Sequence, residues 1–353
     1  MDQLIKLTIK GFKGIKEAEL RLPRVSILIG RNNSGKTTVL EALYLLSNPC
    51  TKTPYVTNQR VLNVLEVLNH LHSGPEVTDY SFLMYGYSAK EAEIYCFINQ
   101  NEYGLKLYDV GEGIVFYKPL EEGEACYVCG AEHVSGKIHE MFIPTSWKRP
   151  PEVKVWTRGG ISFLEALYVH PNLVKYAWSY FRLVWPKVSN ITPKVVRHLR
   201  GLITEEIYNI TLEPFSGGKL TLYAMLREGV RIRLSDMGDG VQLLTTLFML
   251  YEHVKPKVLL IDDVESHLNP RALRALASWL FGVVRRDQVF LVASTHSLEA
   301  AKLLTSVLDE LGARTVLLDL KDGVLNYRLL TVDELEELEA SGIDVRLAEA
   351  VLL

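Results

Sequence analysis

The run Gly30-Arg31-Asn32-Asn33-Ser34-Gly35-Lys36-Thr37 carries the parts needed to hold a polyphosphate. Its glycines let the backbone curl so that successive N–H groups face phosphate oxygens, and Lys36 is long enough to reach the outer phosphates. Thr37, with Thr38 beside it, opens a helix whose N-terminal dipole favours anions, and the Thr37 hydroxyl can ligate magnesium. Far downstream, Val258-Leu-Leu-Ile261 runs into Asp262-Asp263, with Glu265 two residues on. A carboxylate in the first position can hold a magnesium shell. One in the second can orient a water as general base, with Glu265 as the reserve candidate. A third apolar run, Val289-Phe-Leu-Val-Ala, ends in Ser294-Thr295-His296, where an imidazole could sense a terminal phosphate. Alone, the second and third runs read as buried strands with polar ends. The phosphate loop gives them a chemistry to serve.

These residues need elements that bring them to one place. Val25 to Ile29 reads as a buried strand leading into the loop, and Lys36 to Leu46 as a helix stopped by Ser47, Asn48 and Pro49. Residues 4 to 10 and 16 to 22 alternate like a strand pair around Gly11 to Gly14. Gln59 to Leu71, Ile161 to Val184 and Pro193 to Asn209 have helical spacing, and Asn101 to Gly104 lies within hairpin-like alternation. Thr211 to Phe215, Lys219 to Arg227 and Val230 to Leu234 suit a three-stranded meander with tight turns at Gly217-Gly218 and Glu228-Gly229. A helix over Val241 to Val254, the strand Val258 to Ile261, a helix over Pro270 to Val284, the strand Val289 to Ala293 and a helix over Leu298 to Leu311 then alternate, which implies a parallel sheet.

The bulk numbers allow this. The 353 residues suffice for one large α/β domain with an insertion, and 48% apolar with 23% charged residues is an ordinary globular composition. No apolar run is long enough to cross a bilayer and the N-terminus lacks the pattern of a signal peptide, so the expected location is cytoplasmic. The net charge of −3 conceals segregation: residues 137 to 200 hold eleven Lys or Arg against three Glu and no Asp, with four of the five tryptophans. Lys148, Arg149, Lys154, Arg158, Lys187, Lys194, Arg197 and Arg200 interleave there with Trp147, Trp156, Trp178, Tyr180 and Trp185, a mixture suited to phosphate contact and base stacking. The same mixture also describes a small lobe with an aromatic core and a solvated basic face. Cys126 and Cys129, with His133 and His139, have half the spacing of a zinc site; a local disulfide or plain thiols are the other readings.

Taken in order, the loop at Gly30 to Thr37, Asp262-Asp263 within Asp263-Val-Glu-Ser-His-Leu-Asn-Pro270, the segment Ser235-Asp-Met-Gly238-Asp239-Gly240-Val-Gln242 and Thr295-His-Ser297 resemble the ABC-type ATPases of the RecF, structural-maintenance-of-chromosomes and OLD group, most of all the stand-alone AAA_21/AAA_15 ATPases. The resemblance covers residues 1 to 48, including Gly11-Phe-Lys-Gly14, and 205 to 353. It implies an ABC-ATPase-like α/β head with a central mostly parallel sheet, an antiparallel β-subdomain, and an inserted α+β lobe at 50 to 204. It further implies ATP and Mg2+ as ligands, with Asp262 at the magnesium, the next residue polarising water and His296 at the γ-phosphate. Two subunits would sandwich two ATP molecules, each between one phosphate loop and the other subunit's Ser235, Gly238 and Gly240 segment, while Ser266 to Asn269 crosses the interface. Two positions depart from the pattern: Asp263 stands where glutamate is usual, one methylene shorter, and Gly238-x-Gly240 puts glycine where ABC transporters have serine, with Ser235 the alternative. No glutamine stands out for the loop that reaches the nucleotide between strands, neither Gln59 nor Gln100. The function implied is an ATP-driven dimerisation switch acting on DNA or a nuclease partner, in DNA maintenance or antiviral defence. The competing readings are an ATP-regulated scaffold with little hydrolysis and the ATPase subunit of a transporter.

Overall fold

The computed structural model describes residues 4–49, 51–57, 60–72, 80–109, 113–119, 125–127, 142–144, 163–200 and 207–341, with side chains except at 113–119, 125–127, 142–144 and 228. The chain opens with two strands, β1 (Leu4–Phe12) and β2 (Ile15–Pro23), whose alternating burial puts one face of each on the core. β3 (Val25–Ile29) is buried at every position and runs into the phosphate loop and helix α1 (Lys36–Leu45). A short hairpin, β4 (Lys52–Thr57) and β5 (Arg60–Asn63), leads to α2 (Val64–His72). The helix expected from Gln59 thus starts later. Arg60 to Asn63 pair with β4, and Asn63 and Glu66 exchange side-chain-to-backbone bonds of 2.8 and 2.9 Å, a reciprocal cap that sets the start at Val64.

Strands β6 (Glu91–Ile98), β7 (Asn101–Asp109), β8 (Gly113–Pro119), β9 (Ala125–Tyr127) and β10 (Phe142–Pro144) follow. Next come β11 (Ala166–Val169) and the helices α3 (Val174–Leu183), α4 (Trp185–Val188) and α5 (Thr192–Arg200). The continuous helix expected over Ile161 to Val184 therefore divides. Ala166 to Val169 are claimed by parallel pairing with a neighbouring strand, and Pro171 allows helix only beyond it. Likewise Ile207 to Asn209, expected to close a helix, are strand: α5 is described to Arg200, and β12 (Ile207–Pro214) forms the meander with β13 (Leu220–Leu226) and β14 (Arg231–Arg233), as expected.

The last third alternates as expected: α6 (Asp239–Val254), β15 (Val258–Ile261), α7 (Pro270–Asp287), β16 (Phe290–Ser294) and α8 (Leu298–Val307). α8 stops four residues short of Leu311, where a tight turn leads to Gly312 at φ 76°. A hairpin, β17 (Arg314–Lys321) with β18 (Val324–Leu330), and α9 (Val332–Ala340) complete the described chain. Asn269 caps α7 with Pro270 at its first position, and Ser297 caps α8.

Among the described residues the main sheet runs β10-β8-β7-β6-β1-β2-β18-β17-β3-β16-β15-β11, with β9 on β8. The stretch β17-β3-β16-β15-β11 is wholly parallel, while β2, β1, β6, β7 and β8 pair antiparallel in succession. This is the mixed α/β class expected. Two pieces of the 50–204 stretch, β6–β10 and β11, take places in this sheet on its two sides. One consequence matters for chemistry: β3, β16, β15 and β11 point the same way, so whatever follows each of them gathers at one edge.

Candidate functional site

Gly30 follows β3 directly. A Cβ there would lie 2.4 Å from the Leu318 carbonyl oxygen and 2.6 Å from Ser34 Oγ, so only glycine lets the loop fold this closely onto β17. Asn33 and Gly35 adopt φ of 63° and 91°, completing the curl. Lys36 lies almost wholly inside the loop it follows, its Nζ donating to the carbonyls of Gly30 at 2.9 Å and Arg31 at 2.8 Å. Burial lowers its basicity, and the nearby carboxylates Asp263, Asp262 and Glu265 act against that, favouring the charged ammonium. Ser34 Oγ is buried without a hydrogen-bond partner. An orphaned hydroxyl and a lysine in one tightly curled loop at the start of a helix fit an anionic ligand.

Asp262 follows β15 directly, beside this loop, and is buried. Its Oδ1 lies 3.4 Å from Thr37 Oγ1 and also accepts a hydrogen bond from Ser294 Oγ, while Tyr168 OH donates to its Oδ2 at 2.8 Å. A hydroxyl and a carboxylate so placed are the donor set for magnesium, which would lend charge neutralisation to phosphate oxygens held by the loop. Asp263 takes a left-handed backbone, φ 48°, fixed by its N–H donating to the same Ser294 Oγ at 2.9 Å. Its Oδ1 stands 3.4 Å from His296 Nε2. Burial, then Asp262 and Glu265, push the Asp263 carboxyl above the usual aspartate range, against the pull of His296 and His170. The Glu265 carboxylate accepts the His296 backbone N–H at 2.7 Å, and its other oxygen is buried without a partner. Glu265 therefore braces the His296 loop.

Gly11 to Gly14 also reach this neighbourhood. Lys13 and His72 both bind Glu41, a fully buried carboxylate on α1 one turn beyond Thr37, and Lys13 Nζ lies 2.8 Å from His72 Nε2. Burial works to raise the Glu41 carboxyl, but Lys13 and His72 outweigh it and hold it below the usual range.

The Ser235 to Gly240 segment sits elsewhere, at the start of α6. Ser235 is exposed, with its Oγ 3.4 Å from Asp236 Oδ1, and Gly238 borders open space. Gly240 is required by packing: a Cβ would lie 2.7 Å from the His267 carbonyl oxygen, and His267 Nδ1 lies 3.7 Å from Asp239 Oδ2. So this segment abuts the Ser266 to Asn269 turn. Gln100 sits in the β6–β7 turn on the antiparallel side of the sheet, and Gln59 lies outside the described residues.

The aromatic-basic stretch divides. Trp178 Nε1 donates to Thr246 Oγ1 at 2.7 Å, the Tyr180 hydroxyl lies 3.1 Å from His253 Nε2, and Trp185 packs on the core, so these three rings serve packing. Lys194 is paired with Glu252 at 2.7 Å, whereas Lys187, Arg197 and Arg200 are exposed. Trp147, Lys148, Arg149, Lys154, Trp156 and Arg158 lie outside the described residues, as do Cys129, His133, His139 and the Cys126 side chain.

Sequence reading missed Tyr168 and His170. Both come from β11 and its end, and the signal was a short apolar strand running into a histidine and a proline.

A strand–loop–helix phosphate cradle facing the acidic end of a parallel strand defines a P-loop nucleotide-binding domain. Two family models match: AAA_15, "AAA ATPase domain", at residues 3–104, and AAA_21, "AAA domain, putative AbiEii toxin, Type IV TA system", at residues 226–301. Over these two segments, and in its fold, the chain resembles the RecF/SMC-like ABC-type P-loop ATPases. An ATP/GTP phosphatase of Helicobacter pylori is 35% identical over 24% of the chain and 21% of that protein. The DNA replication and repair protein RecF of Edwardsiella ictaluri is 50% identical over 13% of each. These matches thus span only about a fifth or less of the relatives' own length. The Smc head domain of Pyrococcus furiosus, solved with an extended coiled coil and bound to the C-terminal domain of ScpA, shares the fold at TM-score 0.51 and 12% identity, over 97% of this chain and 99% of that one. No helix among the described residues is long and apolar enough to cross a membrane.

Proposed function

We propose that the chain binds Mg-ATP at the β3–α1 loop and hydrolyses it, and that ATP drives two copies together. Residues 30–35 and Thr38 cradle the phosphates, Lys36 neutralises the outer ones, and Thr37 and Asp262 hold magnesium. Asp263 orients the attacking water and His296 meets the γ-phosphate. Ser235, Gly238 and Gly240 face the partner's nucleotide, with residues 1–48 and 205–353 forming the head and 50–204 its insertion. What carries this reading is one unbroken polar series, Thr37–Asp262–Ser294–Asp263–His296, joining the phosphate loop to the far side of the sheet edge. The switch would act on DNA or a nuclease partner, in DNA maintenance or antiviral defence in the cytoplasm, with Lys187, Arg197 and Arg200 as the described basic contacts.

A second reading, a nucleotide-binding scaffold with little hydrolysis that controls a partner protein, draws on Asp263: a short carboxylate in a left-handed turn, already facing an imidazole. Steady-state ATP hydrolysis by the wild type and Lys36→Ala, with and without single- and double-stranded DNA, separates the two. Lys36-dependent turnover that rises with DNA and falls with salt supports the switch. ATP binding with turnover at the Lys36→Ala background supports the scaffold.

A further inference from the structure

His170 has no role in the assignments above, yet it stands at the same sheet edge. It follows β11, whose Val169 is paired with Ile261, so His170 lies level with Asp262 on the next strand, and the Asp262 N–H donates to the Val169 carbonyl at 2.9 Å. The acidic pair is therefore flanked by two imidazoles: His296 from β16 on one side and His170 from β11 on the other. Both lie within electrostatic reach of the Asp263 carboxylate.

His170 is also held in place. Its backbone is extended, φ −134° and ψ 141°, as the following Pro171 demands, and its carbonyl accepts the Leu173 N–H at 2.9 Å. Two residues upstream, Tyr168 is locked by its hydroxyl on Asp262 and by the Tyr55 hydroxyl on its carbonyl at 2.6 Å. The ring itself is oriented: Nδ1 accepts the Asn172 N–H at 3.1 Å, which leaves the hydrogen of the neutral ring on Nε2. Burial favours that neutral form. Among the described residues Nε2 has no partner, so a fixed donor is kept in reserve beside two carboxylates.

We propose that His170 is a positioning residue of the nucleotide site, whose Nε2–H holds the attacking water or a γ-phosphate oxygen in line with Asp263. This rests on the ATP-hydrolysing reading for its chemistry, and supplies from a third strand the reach that the shorter Asp263 lacks. Hydrolysis forms one bond from the water oxygen to the terminal phosphorus and breaks the bond to the ADP oxygen, which leaves with the electron pair. The water's proton passes to Asp263, and His170 gains and loses none.

The test uses the full chain with two readouts. In turnover, His170→Ala lowers kcat at least about tenfold with KM changed less than about threefold, and His170→Gln, a neutral donor of similar reach, restores kcat to within about threefold. In spectra of protein carrying isotope-labelled histidine, the His170 ring signal, assigned by its loss in His170→Gln, moves when Mg2+ and a non-hydrolysable ATP analogue are added. It stays unmoved in Lys36→Ala. A kcat for His170→Ala within about twofold of wild type, or an equal loss in the Gln variant, overturns the proposal. So does a ring signal indifferent to the nucleotide. If the wild type shows no Lys36-dependent turnover, the hydrolytic reading fails by itself and the ring signal alone decides on His170.

Discussion

A half-buried carboxylate beside two others pays for its charge, and Asp263 is that residue here. Its Oδ1 faces His296 at 3.4 Å, while Asp262 and Glu265 crowd it from the same edge. Because these surroundings raise its pKa, the folded protein binds the Asp263 proton more tightly than the unfolded chain does. The sign follows: its ionisation opposes folding as pH rises through the raised pKa, and the penalty is fully present at neutral pH. Asp263→Asn should therefore melt no lower than the wild type at neutral pH, while kcat falls by roughly a hundredfold and nucleotide binding persists. Thermal melts and single-turnover hydrolysis, run side by side, check both halves. A variant that melts lower and also loses nucleotide would make Asp263 a structural residue. The acid limb of the wild-type rate should lie above the usual aspartate range, since the base must be ionised to work.

At the scale of elements, the join between α5 and α6 makes the clearest case. Glu252 is buried on α6 and takes Lys194 from α5, Lys255 from just past the end of its own helix, and His198 at 3.7 Å. Burial tends to raise its carboxyl, but the neighbouring His198, Lys194 and Lys255 outweigh this and hold it down at about 2. A depressed pKa stabilises the fold above the unfolded value and ceases to as pH falls through the folded one. The wild type should thus exceed Glu252→Gln in resistance to denaturant at neutral pH, with the two converging as pH falls from about 4.5 towards about 2. Denaturant melts at pH 7 and pH 3 read this out; a pH-independent gap would mean that shape, not charge, is what Glu252 supplies.

Elements also divide what the sequence made legible from what it hid. β3, β15 and β16 are short apolar runs ending in polar clusters, a pattern that local periodicity detects, and so the phosphate loop, Asp262-Asp263 and His296 could be placed at one edge in advance. β11 could not be read in the same way. Ala166 to Val169 suit helix or strand equally, and only the long-range pairing with β15 decides, which periodicity cannot see. With β11 hidden, Tyr168 and His170 were hidden too. Trp178 and Tyr180 were visible as aromatics on a basic stretch, but their partners Thr246 and His253 lie some seventy residues away in sequence, so packing was invisible where stacking was not.

For the whole molecule, the sheet does two jobs with two halves. The parallel half gathers the chemistry, while the antiparallel half, continuous with it through β18 and β2, brings Lys13 against Glu41 beneath the loop. The Ser235 to Gly240 segment meets the Ser266 to Asn269 turn at the start of α6. All of this hangs on Mg-ATP lying in the β3–α1 loop. Titration calorimetry of Mg-ATP into the wild type, Lys36→Ala and Asp262→Asn tests that point directly. Saturable binding by the wild type, weakened at least about tenfold by Lys36→Ala and made insensitive to Mg2+ by Asp262→Asn, is the result expected. Equal affinity in all three proteins would contradict it and place the nucleotide somewhere other than this loop.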